Sequence, residues 1–413
     1  MSTLARDVIA TPERLGILLS YRPIYTRSKT VAAYDILLSG TGTDATSALA
    51  ELGSSVVLDA YADVYQNGRI ENVPSVLRVA PETLLSSAKL TLPKKQYIIE
   101  VDCGAGLPEG LSERLRGLAG DGYRLALAGY RPEREYLTPL LDLVQFIRLD
   151  AHALGMDGLA DAARRLYLHH AKLLADGVDE IAQFYACADL GISFFQGDFL
   201  DKPAPVKGKT LSSNKLLLVE LLAELRKPDT SPAALEQIAI KDASLTYRIL
   251  KVINSAAVGL NREVSSLSQA ISLLGTDELT RWANLLLVHG EPGKPDELTR
   301  SMLVRGRMCE VLAGLSCYDE PMSYFIVGLL SRLDVLTDIS MKDLLRQVPL
   351  SNPVKQALLH RTGTLGQVLT EVEHYERGRF DRLTWLVDAS LYEVAYRHSV
   401  NWARHAQQAL AAS

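Results

Sequence analysis

The hydrophobic periodicity of this chain changes character once, near residue 205, and that change limits what it can fold into. Before it, short runs rich in β-branched and aromatic residues alternate with helical patterns. The runs cover 17–21, 31–38, 76–80, 97–101, 123–128, 146–149, 171–174 and 193–195. Helical patterns such as 45–66, 111–118, 133–141, 159–166 and 180–190 stand between several of them. Strand followed by helix, repeated, predicts parallel strands joined by crossover helices. About eight such units in roughly 190 residues fit a small (β/α)₈-type barrel. An open doubly wound sheet is the competing topology, but the sequence carries no GxGxxG or Walker-type loop in its favour.

After residue 205 the two-residue alternation disappears. Leu245, Ile249 and Ile253 repeat every four residues, and Leu267, Ala270, Ile271 and Leu274 repeat at three and four, as do Leu365, Val368, Leu369 and Val372. These are core-facing stripes of amphipathic helices. Gly275, Gly328 and Gly363 are read as punctuation between helices, and Pro349 and Pro353 as brackets of a turn. The fold class predicted is therefore α/β plus all-α. The expected domains are 1–203 for the barrel and 216–413 for the helices. Residues 204–215 form the linker, inside a stretch (201–215) with two prolines, one glycine and four lysines.

Charge and cysteine content exclude several roles. Lys and Arg number 44 against 49 Asp and Glu, a formal charge of −5, which disfavours sequence-independent nucleic-acid binding. The four cysteines, Cys103, Cys187, Cys309 and Cys317, form no CxxC pair, which argues against a disulfide framework or a cysteine zinc site and for buried free thiols. No apolar run reaches the roughly 18 residues of a membrane span, and residues 1–13 lack the apolar core of a signal peptide. A cytoplasmic protein with no membrane insertion is expected.

Several strings resemble known families. YRPIYTRSKTVAAYDILLSG (21–40), YIIEVDCG (97–104), GYRLALAGY (122–130), FIRLD (146–150), LLADGVDEIAQF (173–184) and FFQGDFL (194–200) resemble, in order and spacing, the EAL domain, a barrel that hydrolyses cyclic di-GMP. ILKVINSAAVGLNREVSSLSQAISLLG (249–275) resembles the HDOD domain, a helical relative of HD phosphohydrolases that lacks their metal site. Asn254, Ser255 and Gly275 are the framework residues of that resemblance, and the string 357–380 supports it. Together they resemble the EAL–HDOD architecture of bacterial regulatory proteins.

The resemblance places the EAL site on particular residues. Its first glutamate falls on Asp35 and its asparagine on Arg78. Its metal-binding glutamate falls on Glu100, and its paired aspartates on Ala128 and Gly129. Its lysine falls on Arg148 and the aspartate after it on Asp150. A later glutamate falls on Asp176, and a glutamine on Gln196. A two-metal phosphodiesterase needs several converging hard oxygen ligands. Two missing carboxylates and two added guanidiniums predict a degenerate site, in which Glu100 and Asp150 pair with Arg148 or Arg78. In the second half, Ser331 and Arg332 stand where the His–Asp pair of an HD site belongs, within YFIVGLLSRLDVL (324–336). Neither is a usual metal ligand. Asn254 and Ser255 are expected to hydrogen-bond a neighbouring helix or loop.

These residues imply no enzyme, no catalytic residue, no metal and no cofactor. The function expected is a signalling protein that acts through contacts with other signalling proteins. A non-catalytic cyclic di-GMP receptor and a weak cyclic di-GMP phosphodiesterase remain open alternatives. The partner and the oligomeric state are not legible.

Overall fold

The computed structural model describes residues 17–40, 73–86, 90, 92–204, 206, 209–227, 230–239, 241–254, 264–291 and 293–411. The expected helix over 45–66 and Ser255 lie outside them. Two compact units emerge, 15–202 with 376–380, and 203–375 with 381–413 plus 1–14.

The first unit is a closed barrel of eight strands in sequence order. They are β1 (Ile17–Thr26), β2 (Val31–Gly40), β3 (Ser75–Val79), β4 (Tyr97–Asp102), β5 (Arg124–Ala128), β6 (Phe146–Asp150), β7 (Lys172–Asp176) and β8 (Phe194–Gln196). From β2 to β8 each strand pairs in parallel with the next. β1 departs from the expected all-parallel order, because it pairs antiparallel with both β2 and β8. The reason is the connection. Residues 27–30 form a tight turn with Lys29 at φ 62°, and a parallel crossover needs a dozen or more residues. Tyr25 and Thr26 then pair with Phe195 and Phe194 and close the barrel.

Side chains alternate across each strand with period two. One set, including Ile36, Leu77, Ile99, Leu127, Ile147, Ala175 and Phe195, is buried against the surrounding helices. Those helices include α1 (Pro81–Ser86), α2 (Leu111–Gly120), α3 (Thr138–Leu141), α4 (Ala151–Leu166) and α5 (Ile181–Asp189). Phe195 meets the Phe184 ring at 4.6 Å. The other set faces the lumen in layers. The lower layer is Ile24, Ala33, Val76, Ile98, Ala126 and Leu174, packed with Phe146 and Phe194. Two residues further along β2, β3, β4, β6, β7 and β8 stand Asp35, Arg78, Glu100, Arg148, Asp176 and Gln196. The period-two pattern thus sets the polar layer directly above an apolar one, toward the C-terminal ends of the strands, where barrel sites are built.

The second unit is helical. Its elements are α6 (Ser213–Leu225), α7 (Pro232–Ala239), α8 (Ala243–Ile253), α9 (Leu267–Val288), α10 (Asp296–Leu315), α11 (Pro321–Leu330), α12 (Leu333–Thr337), α13 (Met341–Gln347), α14 (Asn352–His360), α15 (Gly363–Glu376) and α16 (Ala389–Ala411). The stripe Leu365, Val368, Leu369 and Val372 is buried, as its spacing predicts. α10 is the central element, buried over most of its length and packed on α11 and α16. Gly328 lies inside α11 rather than between helices. A Cβ there would sit 2.6 Å from the Arg305 carbonyl, so the glycine is explained by the close crossing of α10 and α11. Gly275 does break its helix, bending α9 at φ 79°.

Three of the four free thiols are buried, but Cys317 is exposed, contrary to expectation, in the turn after α10. Burial, with smaller contributions from Asp102 and Glu82, pushes Cys103 up to about 11, so that thiol stays protonated and unreactive near neutral pH. Among the described residues no helix is long and apolar enough to cross a membrane.

Candidate functional site

The polar layer of the barrel is organised around one guanidinium. Arg148, from the middle of β6, donates from Nε to Glu100 Oε2 at 2.7 Å. Its Nη1 donates to Asp176 Oδ2 at 3.0 Å and to Gln196 Oε1 at 2.6 Å. Its Nη2 lies 3.2 Å from Asp35 Oδ2, an ion-pair contact without hydrogen-bond geometry. Arg78, half-exposed at the rim, donates to the second oxygen of Glu100 at 2.8 Å. Gln196 turns its amide to the Arg22 carbonyl at 3.4 Å.

Burial makes this cluster electrostatically tense. Glu100, Asp35 and Arg148 are 1%, 3% and 5% exposed. Ionised, the cluster carries two guanidiniums and three carboxylates, a balance of 2 − 3 = −1. Burial raises the Asp35 carboxyl above its usual range, and the Glu100 and Asp176 charges add to that; Arg148 and Arg78 pull the other way without cancelling it. Arg148 is held above its ordinary value although burial opposes its charge, because Glu100, Asp35 and Asp176 surround it. It is a permanent cation at any working pH.

The remaining EAL positions sit apart from Arg148. Asp150 leaves the barrel and caps α4, its Oδ1 accepting from the Ala153 amide at 3.0 Å. Expected to pair with an arginine, it is instead spent on the N-terminus of the next helix. Ala128 ends β5, buried, and Gly129 follows at φ 75°. A Cβ on Gly129 would stand 2.5 Å from the Gly104 amide nitrogen and 2.6 Å from Asp102 Oδ1. The glycine is thus required by the backbone as built. Divalent ions do not fit this layer with Arg148 in place, because its guanidinium fills the point on which Asp35, Glu100 and Asp176 converge. Among the described residues no group of three His, Cys, Asp or Glu side chains is set to hold a metal ion.

In the helical unit, Ser331 Oγ donates to the Gly328 carbonyl at 2.7 Å and accepts from Arg305 Nη1 at 3.0 Å. Arg332 Nη1 donates to Ser301 Oγ at 2.8 Å. Both residues at the HD position are therefore engaged by their own domain. Asn254 clamps Val264, donating to its carbonyl at 2.8 Å and accepting from its amide at 2.7 Å. Sequence reasoning missed a second buried ion network. Arg281 pairs through both terminal nitrogens with Glu310 at 2.7 Å, and Arg307 joins Glu310 at 2.8 Å. The available signal was three charges, Arg305, Arg307 and Glu310, interleaved with the apolar residues of 302–313.

Residues 211–400 match the family model described as the HDOD domain. The second half is an HDOD domain. In sequence it follows a closed eight-stranded barrel. One relative, 28% identical over 78% of this chain and 75% of its own, is "Cyclic di-GMP phosphodiesterase CdgJ" of Vibrio cholerae. Another, YuxH of Bacillus subtilis, is 26% identical over 92% of this chain and 96% of its own. A calcium and cyclic di-GMP complex of Klebsiella pneumoniae BlrP1 is 18% identical, with a TM-score of 0.38, covering 47% of this chain and 58% of that one. This chain therefore spans less than two thirds of that structure, and the likeness is too weak to carry an inference. CdgJ corrects one expectation. The residue losses predict that an EAL–HDOD chain of this kind is not an enzyme, yet a relative matching most of this chain is named as one.

Proposed function

We propose that this chain is a cyclic di-GMP-linked signalling protein whose output runs through protein contacts of its HDOD domain. The observation that carries the reading is Arg148, bonded at once to Glu100, Asp176 and Gln196. The carboxylates of the barrel mouth are thereby tied into a self-contained, buried ion network, with Arg78 half-exposed at its edge. Engagement of Ser331 and Arg332 inside the HDOD domain supports the same division of labour. What that domain offers outward is surface.

A second reading, hydrolysis of cyclic di-GMP by the barrel, is favoured by the name of the V. cholerae relative. It requires Arg148 to leave the carboxylates it now bridges.

Calorimetric titration of the full chain with cyclic di-GMP, with and without magnesium, tests the link to the nucleotide. Saturable binding supports it, and no heat under either condition removes it. Linear dinucleotide appearing in the magnesium sample selects the second reading. The output is tested by comparing proteins captured by the full chain and by residues 1–205. Equal capture by both would defeat the assignment to the HDOD domain.

A further inference from the structure

The lower lumen of the barrel is under-filled. Barrel interiors are normally packed by layers of bulky branched side chains. Here two inward positions of the lower layer, Ala33 and Ala126, are alanines, and a cavity of about 240 Å³ remains. It opens at the N-terminal ends of the strands, opposite the Arg148 cluster. Its walls are apolar, and Phe146 and Phe194 stand 5.9 Å apart on one side. Glu100 and Arg148 form its floor, already bonded to each other at 2.7 Å.

The rim is basic. Arg124 and Lys172 begin β5 and β7, each two residues before a lumen residue, and both line the cavity. Arg124 gives one N–H to the Lys95 carbonyl, which leaves four of its five donors. Lys172 has no ion pair among the described residues. The single acidic lining residue, Glu100, is occupied by Arg78 and Arg148. Burial lowers Arg124 from its ordinary value, and no carboxylate offsets the effect. Among the described residues the rim thus presents positive charge without a carboxylate partner above an apolar well.

We propose that this lumen is a binding site for a free medium-chain carboxylate, its alkyl chain between the alanine faces and its head group between Arg124 and Lys172. The size agrees. An apolar cavity of about 150 Å³ holds the six carbons of benzene, so 240 Å³ accommodates roughly eight to ten heavy atoms. The charge agrees as well, since an anionic head satisfies the rim while a neutral or cationic one does not. A purely apolar occupant would leave both cations unmet, and water would have few polar partners on these walls.

The test is calorimetry on the full chain with octanoate, butyrate and 1-octanol, below the concentrations at which octanoate aggregates. Octanoate is expected to bind more than a hundredfold more tightly than butyrate, at about fourfold for each of four further methylenes buried. Lys172→Gln, at an exposed side chain, is expected to weaken octanoate about tenfold, the scale of one charge-assisted hydrogen bond, and to leave 1-octanol unchanged. Ala126→Leu fills the well and is expected to abolish binding of both. Should that variant misfold, the chain-length series and Lys172→Gln still decide. Octanoate no tighter than butyrate, or equally tight after Lys172→Gln, overturns the proposal.

Discussion

Arg148 Nε and Glu100 Oε2 stand 2.7 Å apart in the barrel interior, and Arg78 holds the other oxygen of the same carboxylate. Desolvating two such charges costs several kcal/mol per ion, which their mutual attraction offsets only while the network is complete. Loss of Arg148, or of Glu100, which both guanidiniums hold, leaves the groups bonded to it buried and uncompensated. Arg148→Ala and Glu100→Gln are each expected to destabilise the barrel by about 3–5 kcal/mol. All three tryptophans, Trp282, Trp385 and Trp402, lie in the HDOD half, so tryptophan fluorescence is blind to this loss. Hydrogen exchange of β4 and β6 measures it, and unchanged protection would mean that the network contributes nothing.

Asp35 gives the network a pH dependence. Its carboxyl is raised by burial and by Glu100 and Asp176, against Arg148 and Arg78. A raised carboxyl binds its proton more readily folded than unfolded, so its ionisation destabilises the fold. That cost is full above the folded-state value, and it is relieved as pH falls from there toward the ordinary 3.8. Asp35→Asn imitates the protonated form. It is expected to raise the barrel's Tm by a few degrees at neutral pH, the scale of about 1 kcal/mol, with the gain vanishing below pH 4. A gain that persists at low pH would show that the effect is not ionisation.

Much of this site was legible through the EAL resemblance, which names Asp35, Arg78, Glu100, Arg148, Asp176 and Gln196, and the structure joins them in one interior layer. Strand parity explains why they meet, since each stands two residues beyond a lumen-facing residue of its strand. Parity fails at strand ends, where the next element competes for the side chain. Asp150 is in phase with Arg148 but caps α4 instead. The direction of β1 depends on a four-residue turn that periodicity does not register. The ions buried in α10 escaped for a different reason. Helical charges read as surface unless the helix is central to its domain, and that is a property of packing.

Gly129 makes restoration of the paired aspartates a backbone problem. At φ 75° any side chain is strained, by roughly 1–2 kcal/mol. The Gly104 amide 2.5 Å from its Cβ position adds an overpacking cost of about 1–3 kcal/mol. Gly129→Ala is therefore expected to lose about 2–5 kcal/mol, and Gly129→Asp at least as much. Barrel hydrogen exchange reads this directly. A variant as stable as the parent would show that 102–104 yields easily.

Asn254 is the framework residue whose role is most explicit. Its amide satisfies both backbone groups of Val264, across a span of ten residues. Asn254→Ala leaves both without this partner, at about 1–3 kcal/mol for each group that stays buried. Asn254→Asp keeps the bond from the Val264 amide but sets a carboxylate oxygen against its carbonyl, so a loss of similar size is expected. Urea unfolding followed by tryptophan emission suits this prediction, because all three indoles report the HDOD half. An unchanged midpoint for both variants would mean that Val264 is held by other contacts.

The sharpest use of Arg148 is as a stand-in for a cation. Its guanidinium occupies the point on which Asp35, Glu100 and Asp176 converge, at 3.2, 2.7 and 3.0 Å. Remove it, and three carboxylates face one another across space that the side chain has vacated. Hard oxygen ligands in that arrangement attract manganese or magnesium. Binding to the folded state alone raises stability in proportion to the logarithm of free metal over its dissociation constant. Arg148→Ala is thus expected to be less stable than the parent in chelator, and to regain more Tm than the parent when manganese is added. At a hundredfold excess over the dissociation constant the recovery amounts to about 2.7 kcal/mol. The double variant Arg148→Ala/Glu100→Gln, with one ligand fewer, should recover less. If the parent gains as much from manganese as Arg148→Ala does, Arg148 swings out of the cluster readily, and the hydrolytic reading gains accordingly. If neither responds, the three carboxylates do not form a metal site even when their arginine is gone.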